Sequence, residues 1–292
     1  MKLQRFNNPG GFQDKVKDFL VEDEAENNLP LGIINGLIAG EYRDQEPYMA
    51  YVGERGRPII VILCTPPLQT IFSYTDSLPA DEILELCLKD LIDFLGNDFV
   101  GISANKKLAA RLKGIWEGIA GRKAEQHMSM RIYKLEEVIP PPNIAGSIRP
   151  VEKRDRRMMM DWLDGFYREA VQESSDLARV RIQVDLYMRE DSKLRGLMIW
   201  EKRGIPVSMA GYAGPTPNGI RVGAVFTPPE QRKRGYASAV TAGLSQHLLD
   251  VGYQFCFLFT DLLNPTSNHI YQKIGYKPVC DVDRYTFKLT LI

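Results

Sequence analysis

Residues Ile220 to Ala237 read I-R-V-G-A-V-F-T-P-P-E-Q-R-K-R-G-Y-A. The apolar run up to Phe226 predicts a strand, and Pro228-Pro229 ends it. A short loop with three successive cations, Arg232, Lys233 and Arg234, leads to Gly235 and Ala237 at the mouth of a helix. A strand that feeds a glycine at a helix start presents bare backbone N–H groups, an arrangement suited to a phosphate. The stretch therefore predicts a grip on a phosphorylated cofactor.

Working outward, Ile139 to Gly146 (I-P-P-P-N-I-A-G) reads as a stiff extended linker, because three prolines can neither continue a helix nor sit in a central strand. It divides the chain into a module at 1–138, a linker at 139–146 and a second module at 147–292. The two modules echo each other. Tyr48–Val52 and Ile59–Cys64 read as strands joined by a turn containing Arg55-Gly56. Leu197–Glu201 and Val207–Tyr212 are joined by a turn containing Arg203-Gly204. Each pair is followed by a third strand, Thr70–Tyr74 or Ile220–Phe226, and then a helix, Ala80–Leu95 or Tyr236–Val251. A short strand, another helix and a closing strand complete each half, the last near Met130–Leu135 or Tyr285–Leu291. Apolar residues at Ile83, Leu84, Cys87, Leu88, Leu91 and Leu95 form a helical stripe. The expected fold class is mixed α/β, as two similar modules, each a mostly antiparallel sheet flanked by helices. The first module has Thr75-Asp76-Ser77-Leu78-Pro79 where the second has its cationic, glycine-containing loop. If the halves share a fold, the second alone should hold the cofactor.

Composition narrows the function. Lys plus Arg and Asp plus Glu both number 37, which disfavours a general nucleic-acid binder. Four scattered cysteines and three scattered histidines match no metal-ligand spacing, so no metal is expected. The N-terminus has no signal core and no run is long enough to span a membrane, so a cytoplasmic protein without a membrane partner is expected. Oligomeric state is open.

Arg232-Lys233-Arg234-Gly235-Tyr236-Ala237 resembles the R-x-x-G-x-[GA] signature of the GNAT superfamily of acyl-CoA-dependent N-acyltransferases. Asn264-Pro265-Thr266-Ser267-Asn268-His269-Ile270-Tyr271-Gln272-Lys273-Ile274-Gly275-Tyr276 resembles the superfamily's N-x-x-[AS]-x-x-[LI]-Y-x-K-x-G-[FY] pattern. The resemblance covers 147–292 and reaches the first half only through the echo, which makes that half a degenerate module. It implies that the N–H groups from Lys233 to Ser238, including those of Arg234, Gly235, Tyr236 and Ala237, hold the pyrophosphate of acetyl-CoA. It places the pantetheine arm along Val225, Phe226 and Thr227, where a strand N–H near Val225 would polarise the thioester carbonyl. Tyr271 matches the general acid and Asn264 the asparagine that contacts the cofactor. Asn264 before Pro265 is also a favoured helix cap, and the two roles are compatible. The general base is open. The strand 220–226 carries Arg221 and no carboxylate, which leaves Asp261, the less well placed Glu230, or a water relay. The implied activity is direct transfer of acetyl to an amine of a small molecule or peptide. The alternatives are a non-catalytic acyl-CoA sensor and an interaction protein. The first module is expected to cover one side of the acceptor cleft, its helices around Trp116 are expected to pack against the second module, and acceptor specificity is expected to lie within Arg156–Arg195.

Overall fold

The computed structural model describes residues 1–42, 46–171, 176–189 and 192–287. The first part of the chain forms β1 (Lys2–Phe6), α1 (Pro9–Glu22), α2 (Asn28–Ile38), β2 (Tyr48–Glu54), β3 (Arg57–Cys64), β4 (Thr70–Tyr74), α3 (Asp81–Leu95), β5 (Gly101–Asn105), α4 (Lys106–Ala120) and β6 (Glu125–Leu135). The second forms β7 (Ser147–Pro150), α5 (Arg156–Phe166), α6 (Leu177–Tyr187), β8 (Arg195–Lys202), β9 (Ile205–Ala213), β10 (Gly219–Phe226), α7 (Tyr236–Asp250), β11 (Phe255–Asp261), α8 (Pro265–Lys273) and β12 (Lys277–Thr286). The expected mixed α/β class and the expected element order are both present. The final strand ends at Thr286, and the last residues expected in it, 288–291, lie outside the described residues.

Turn chemistry explains the echo between the halves. Arg55 and Gly56 have φ of 50° and 84°, and Arg203 and Gly204 have 52° and 77°. Positive φ at both central residues is the signature of a type I′ turn, whose twist matches that of the strands it joins. In each hairpin the register shifts just before the turn, between Val52 and Gly53 or between Trp200 and Glu201.

The chain forms two compact units, and they do not divide at the prolines. One contains residues 1–132 and 279–292, the other 133–278. In the first unit the strand order is β1-β2-β3-β4-β5-β12-β6, and in the second it is β6-β11-β10-β9-β8-β7. β6 appears in both because its residues up to Ile132 belong to the first unit and those from Tyr133 to the second. The first unit thus completes its sheet with a strand from the far end of the sequence: β12 pairs antiparallel with β5, Arg284 opposite Ser103. The segment 139–146 lies inside the second unit rather than acting as a free spacer. The Ile139 N–H donates to the Ile274 carbonyl, and the Trp200 indole N–H donates to that of Ala145.

In the first unit α3 and α4 bury Leu84, Leu88, Leu91, Leu112 and Trp116 against β2 to β5. Trp116 is fully buried and stacked on Phe287, with ring centroids 4.2 Å apart. It is a core residue of its own unit. α1 and α2 bury Phe12, Phe19, Leu20 and Ile34 on the opposite face of β2 and β3. The second unit repeats this layering: α7 and α8 pack on one face of the sheet, α5 and α6 on the other. Met159 and Leu163 of α5 are buried in this second layer.

At the start of the second unit a buried ion network ties β7 to the turn before α5. Arg149 donates to both carboxylate oxygens of Asp155 at 2.7 and 3.0 Å and to Glu201 at 2.7 Å. Burial pushes the Asp155 carboxyl up, but the Arg149 hydrogen bonds and the Glu152 N–H outweigh it and hold the group below the usual carboxylate range. A depressed folded-state pKa contributes stability above the unfolded carboxylate value of about 4, which fades as pH falls through the folded value. Arg149→Met leaves Asp155 buried without its partner and should cost about 2 kcal/mol at pH 7, discounted from a fully buried pair because Arg149 retains some exposure. In thermal melts the gap between variant and wild type should narrow as pH drops below 4. A gap that widens there would refute this account.

Candidate active site

β10 pairs in parallel with β11 over Gly219, Ile220 and Arg221, opposite Phe255, Cys256 and Phe257. Beyond this, the register of β10 against β9 shifts between Gly223 and Phe226, and Ala224 takes the left-handed φ of 47°. A bulge of this kind bends a strand and redirects its backbone groups. Ser208 fixes the end of β10, donating to the Phe226 carbonyl at 3.1 Å and lying 2.8 Å from the Thr227 hydroxyl. Gly165 of α5 faces the Phe226 ring, where a Cβ would sit 2.7 Å from ring carbon Cζ. The absence of a side chain at 165 lets the helix backbone approach the ring.

The loop 229–235 then reverses into α7. Lys233 has φ of 62° and Gly235 of 80°, so the backbone turns left-handed twice before the helix begins. Gly235 is the N-cap of α7 and supplies no side-chain cap, and the first turn of α7 holds no acidic residue. The α7 N–H groups therefore keep their affinity for an external anion. In the first unit the corresponding α3 begins with Asp81 and Glu82, whose charges already compensate the helix dipole and repel an anion. β4 and β5 there pair from Thr70 to Phe72, through most of the short β4.

A cavity of about 460 Å³ opens where these elements meet. From the sequence-predicted residues it gathers Val225, Phe226 and Thr227 of the strand end, and Arg232, Lys233, Gly235, Tyr236, Ala237 and Ser238 of the loop and helix. Asn264 and Tyr271 line it from α8. Arg234 does not line it; its guanidinium donates to Gln231 Oε1 at 3.2 Å. Asp261 and Glu230 do not line it either. The Asp261 carboxylate accepts from the Leu263 N–H at 2.8 Å, which makes it a turn-stabilising group. Asn264 caps α8, accepting from the Ser267 N–H at 3.0 Å, so cap and cavity wall coincide in one residue.

Tyr271 is buried at 8% exposure with its ring edge-on to Tyr276, centroids 6.1 Å apart. Burial pushes its phenol up to about 12, and a hydrogen bond with Ser267 offsets this only in part. The phenol therefore stays protonated at neutral pH, as a proton donor must. Sequence reasoning missed Ser267, the neighbour of that phenol, although it sits inside the matched motif. It also missed Phe166, Glu169 and Ala170, which line the cavity from the end of α5 and a π-helical turn, Tyr167–Val171. No local motif marks these three. A π turn is often found at functional sites, but it is a property of the folded chain.

Among the described residues no group of three or more His, Cys, Asp or Glu is placed to hold a metal ion, and no helix is long and apolar enough to cross a membrane.

These features define the fold of the GCN5-related N-acetyltransferases, with a bulged, splayed strand and a glycine-started helix at its centre. Residues 207–285 match the family described as FR47-like protein, which spans β9 to β12 and both motifs read from the sequence. Among solved structures, a Drosophila protein superposes with a TM-score of 0.69 at 12% identity, over 98% of each chain. A GCN5-related N-acetyltransferase from Kribbella flavida gives 0.62 at 14% identity, over 88% of this chain and 94% of that one. A GCN5-related N-acetyltransferase from Sphaerobacter thermophilus gives 0.61 at 13% identity, over 98% and 95%. At such identities the likeness is one of fold, and it extends over both units. No curated protein sequence matches the chain.

Proposed function

We propose that the protein is an acetyl-CoA-dependent N-acetyltransferase that moves an acetyl group directly to an amine of a small molecule or peptide. One observation carries the reading: a single cavity joins the bulged end of β10, the anion-receptive start of α7 and the protonated phenol of Tyr271. In this reading the backbone N–H groups of 233–238 bind the pyrophosphate, with Lys233 adding charge from the cavity wall. The strand end at Val225–Thr227 aligns the pantetheine arm and polarises the thioester carbonyl. Tyr271 gives its proton to the departing thiolate while the C–S bond breaks and the amine nitrogen forms the new C–N bond. The amine must shed a proton, and the cavity wall offers one carboxylate, Glu169, already paired with Arg232. Water is therefore the proton acceptor in this proposal. Positioning of the two substrates supplies much of the rate.

Calorimetry with acetyl-CoA followed by thiol release across a panel of amines tests the reading. No heat with acetyl-CoA would end it, and heat without thiol release from any amine would favour a non-catalytic acyl-CoA sensor. Gly235→Ala provides a local check. Its positive φ imposes about 1–2 kcal/mol on any L side chain, and the new Cβ would lie 2.7 Å from Cδ1 of Ile144. The loop should lose its shape, with acetyl-CoA affinity falling about tenfold. An unchanged affinity would show that the loop does not hold the diphosphate.

A further inference from the structure

We propose that Glu169 is a positioning residue that holds Arg232 in a clasp which a coenzyme phosphate must open, so that Glu169 lowers the affinity of the loop without touching the cofactor. The proposal rests on the acyl-CoA reading of the cavity. Arg232 is the first cation of the loop, yet its guanidinium is already committed. Its Nε donates to the Thr227 carbonyl at 2.9 Å, and its Nη2 lies 2.6 Å from Glu169 Oε2. The guanidinium also sits 5.8 Å from the centre of the Phe226 ring. One side chain therefore ties together the end of β10, the loop before α7 and the π turn 167–171.

A phosphate arriving at residues 233–238 meets two obstacles of the same sign. Glu169 competes for the N–H groups of Arg232, and its carboxylate puts negative charge on the wall of the cavity the diphosphate must enter. The Arg232–Glu169 pair is partly exposed, so the contest is between interactions of modest strength and can be reversed by a ligand. Once phosphate takes the guanidinium, the π turn loses its tether to the loop and its carboxylate is released toward the rest of the cavity. Cofactor loading and rearrangement of the wall formed by Phe166, Glu169 and Ala170 are then one event.

The test is calorimetric titration of the full chain with coenzyme A, which needs no acceptor and no turnover. Glu169→Gln removes the charge and the ion pair while preserving shape, and should bind coenzyme A three- to tenfold more tightly than wild type. Its affinity should also fall more steeply with added salt, since Arg232 now engages phosphate. Glu169→Asp should return the affinity toward the wild-type value. A residue that merely braced the fold would weaken binding on substitution, so the sign of the change decides. Affinity that is unchanged or weaker in Glu169→Gln, with wild type binding coenzyme A normally, overturns the clasp and leaves the acyl-CoA reading intact. Absence of heat with wild type overturns both.

Discussion

Replacing Tyr271 by Phe should lower kcat by about 100- to 1,000-fold while leaving acetyl-CoA affinity within about twofold. The size follows from the contribution of one positioned proton donor, and it corresponds to about 3–4 kcal/mol of barrier. The selectivity follows from burial. Only the hydroxyl is lost; the ring stays packed against Tyr276 and among the apolar residues of α7 and β11. The hydroxyl's recorded neighbour is Ser267, so its removal leaves a small polar group that cavity water can satisfy. Comparison of kcat with the calorimetric Kd for acetyl-CoA separates the two effects. Equal losses in both would mean that Tyr271 shapes the cofactor site and donates no proton.

Trp116→Ala should destabilise the protein by about 3–5 kcal/mol, the cost of removing a large aromatic from a closed core. Trp116 has no exposed surface and stacks on Phe287, which itself lies edge-on to Phe99. These rings join α4 to residues at the far end of the sequence, so the cavity would loosen the attachment of β12 as well as the packing of α4. The indole N–H is buried without a hydrogen-bond partner. Trp116→Phe, which removes that unsatisfied donor and keeps most of the apolar area, should cost under about 1.5 kcal/mol. Chemical denaturation of the three proteins checks both numbers. A smaller loss for Ala than for Phe would place Trp116 outside the core.

The loop 229–235 was legible because its chemistry is local. Gly235 must follow the cations directly for the backbone to turn left-handed at the helix mouth, and that spacing is visible in a six-residue window. The hairpins were legible for the same reason: Arg55-Gly56 and Arg203-Gly204 are turn dipeptides whose φ values repeat. Asp261 shows where local reasoning stops. It sits at the end of β11 as expected, yet its carboxylate folds back onto the Leu263 N–H, a choice that depends on the course of the turn. Glu169 shows the converse. Nothing around it in sequence resembles a site, and it joins the cavity because Arg232, 63 residues away, draws it there.

Local residue patterns were enough to determine the α/β class and the repeated hairpin-and-helix order, and residues 220–237 and 264–276 held most of the predicted side chains that meet in one cavity. They could do so because turns, helix starts and apolar periodicity are set by neighbours a few residues apart. The tertiary structure alone decided that the closing strands are exchanged, with β12 beside β5 and β6 running on to β11. Both strands are partly buried along their length, and either could have closed either sheet on pattern alone. The selection rests on pairs distant in sequence, such as Arg131 with Asp281 and Ser129 with Asp283, whose meeting no local window can foresee.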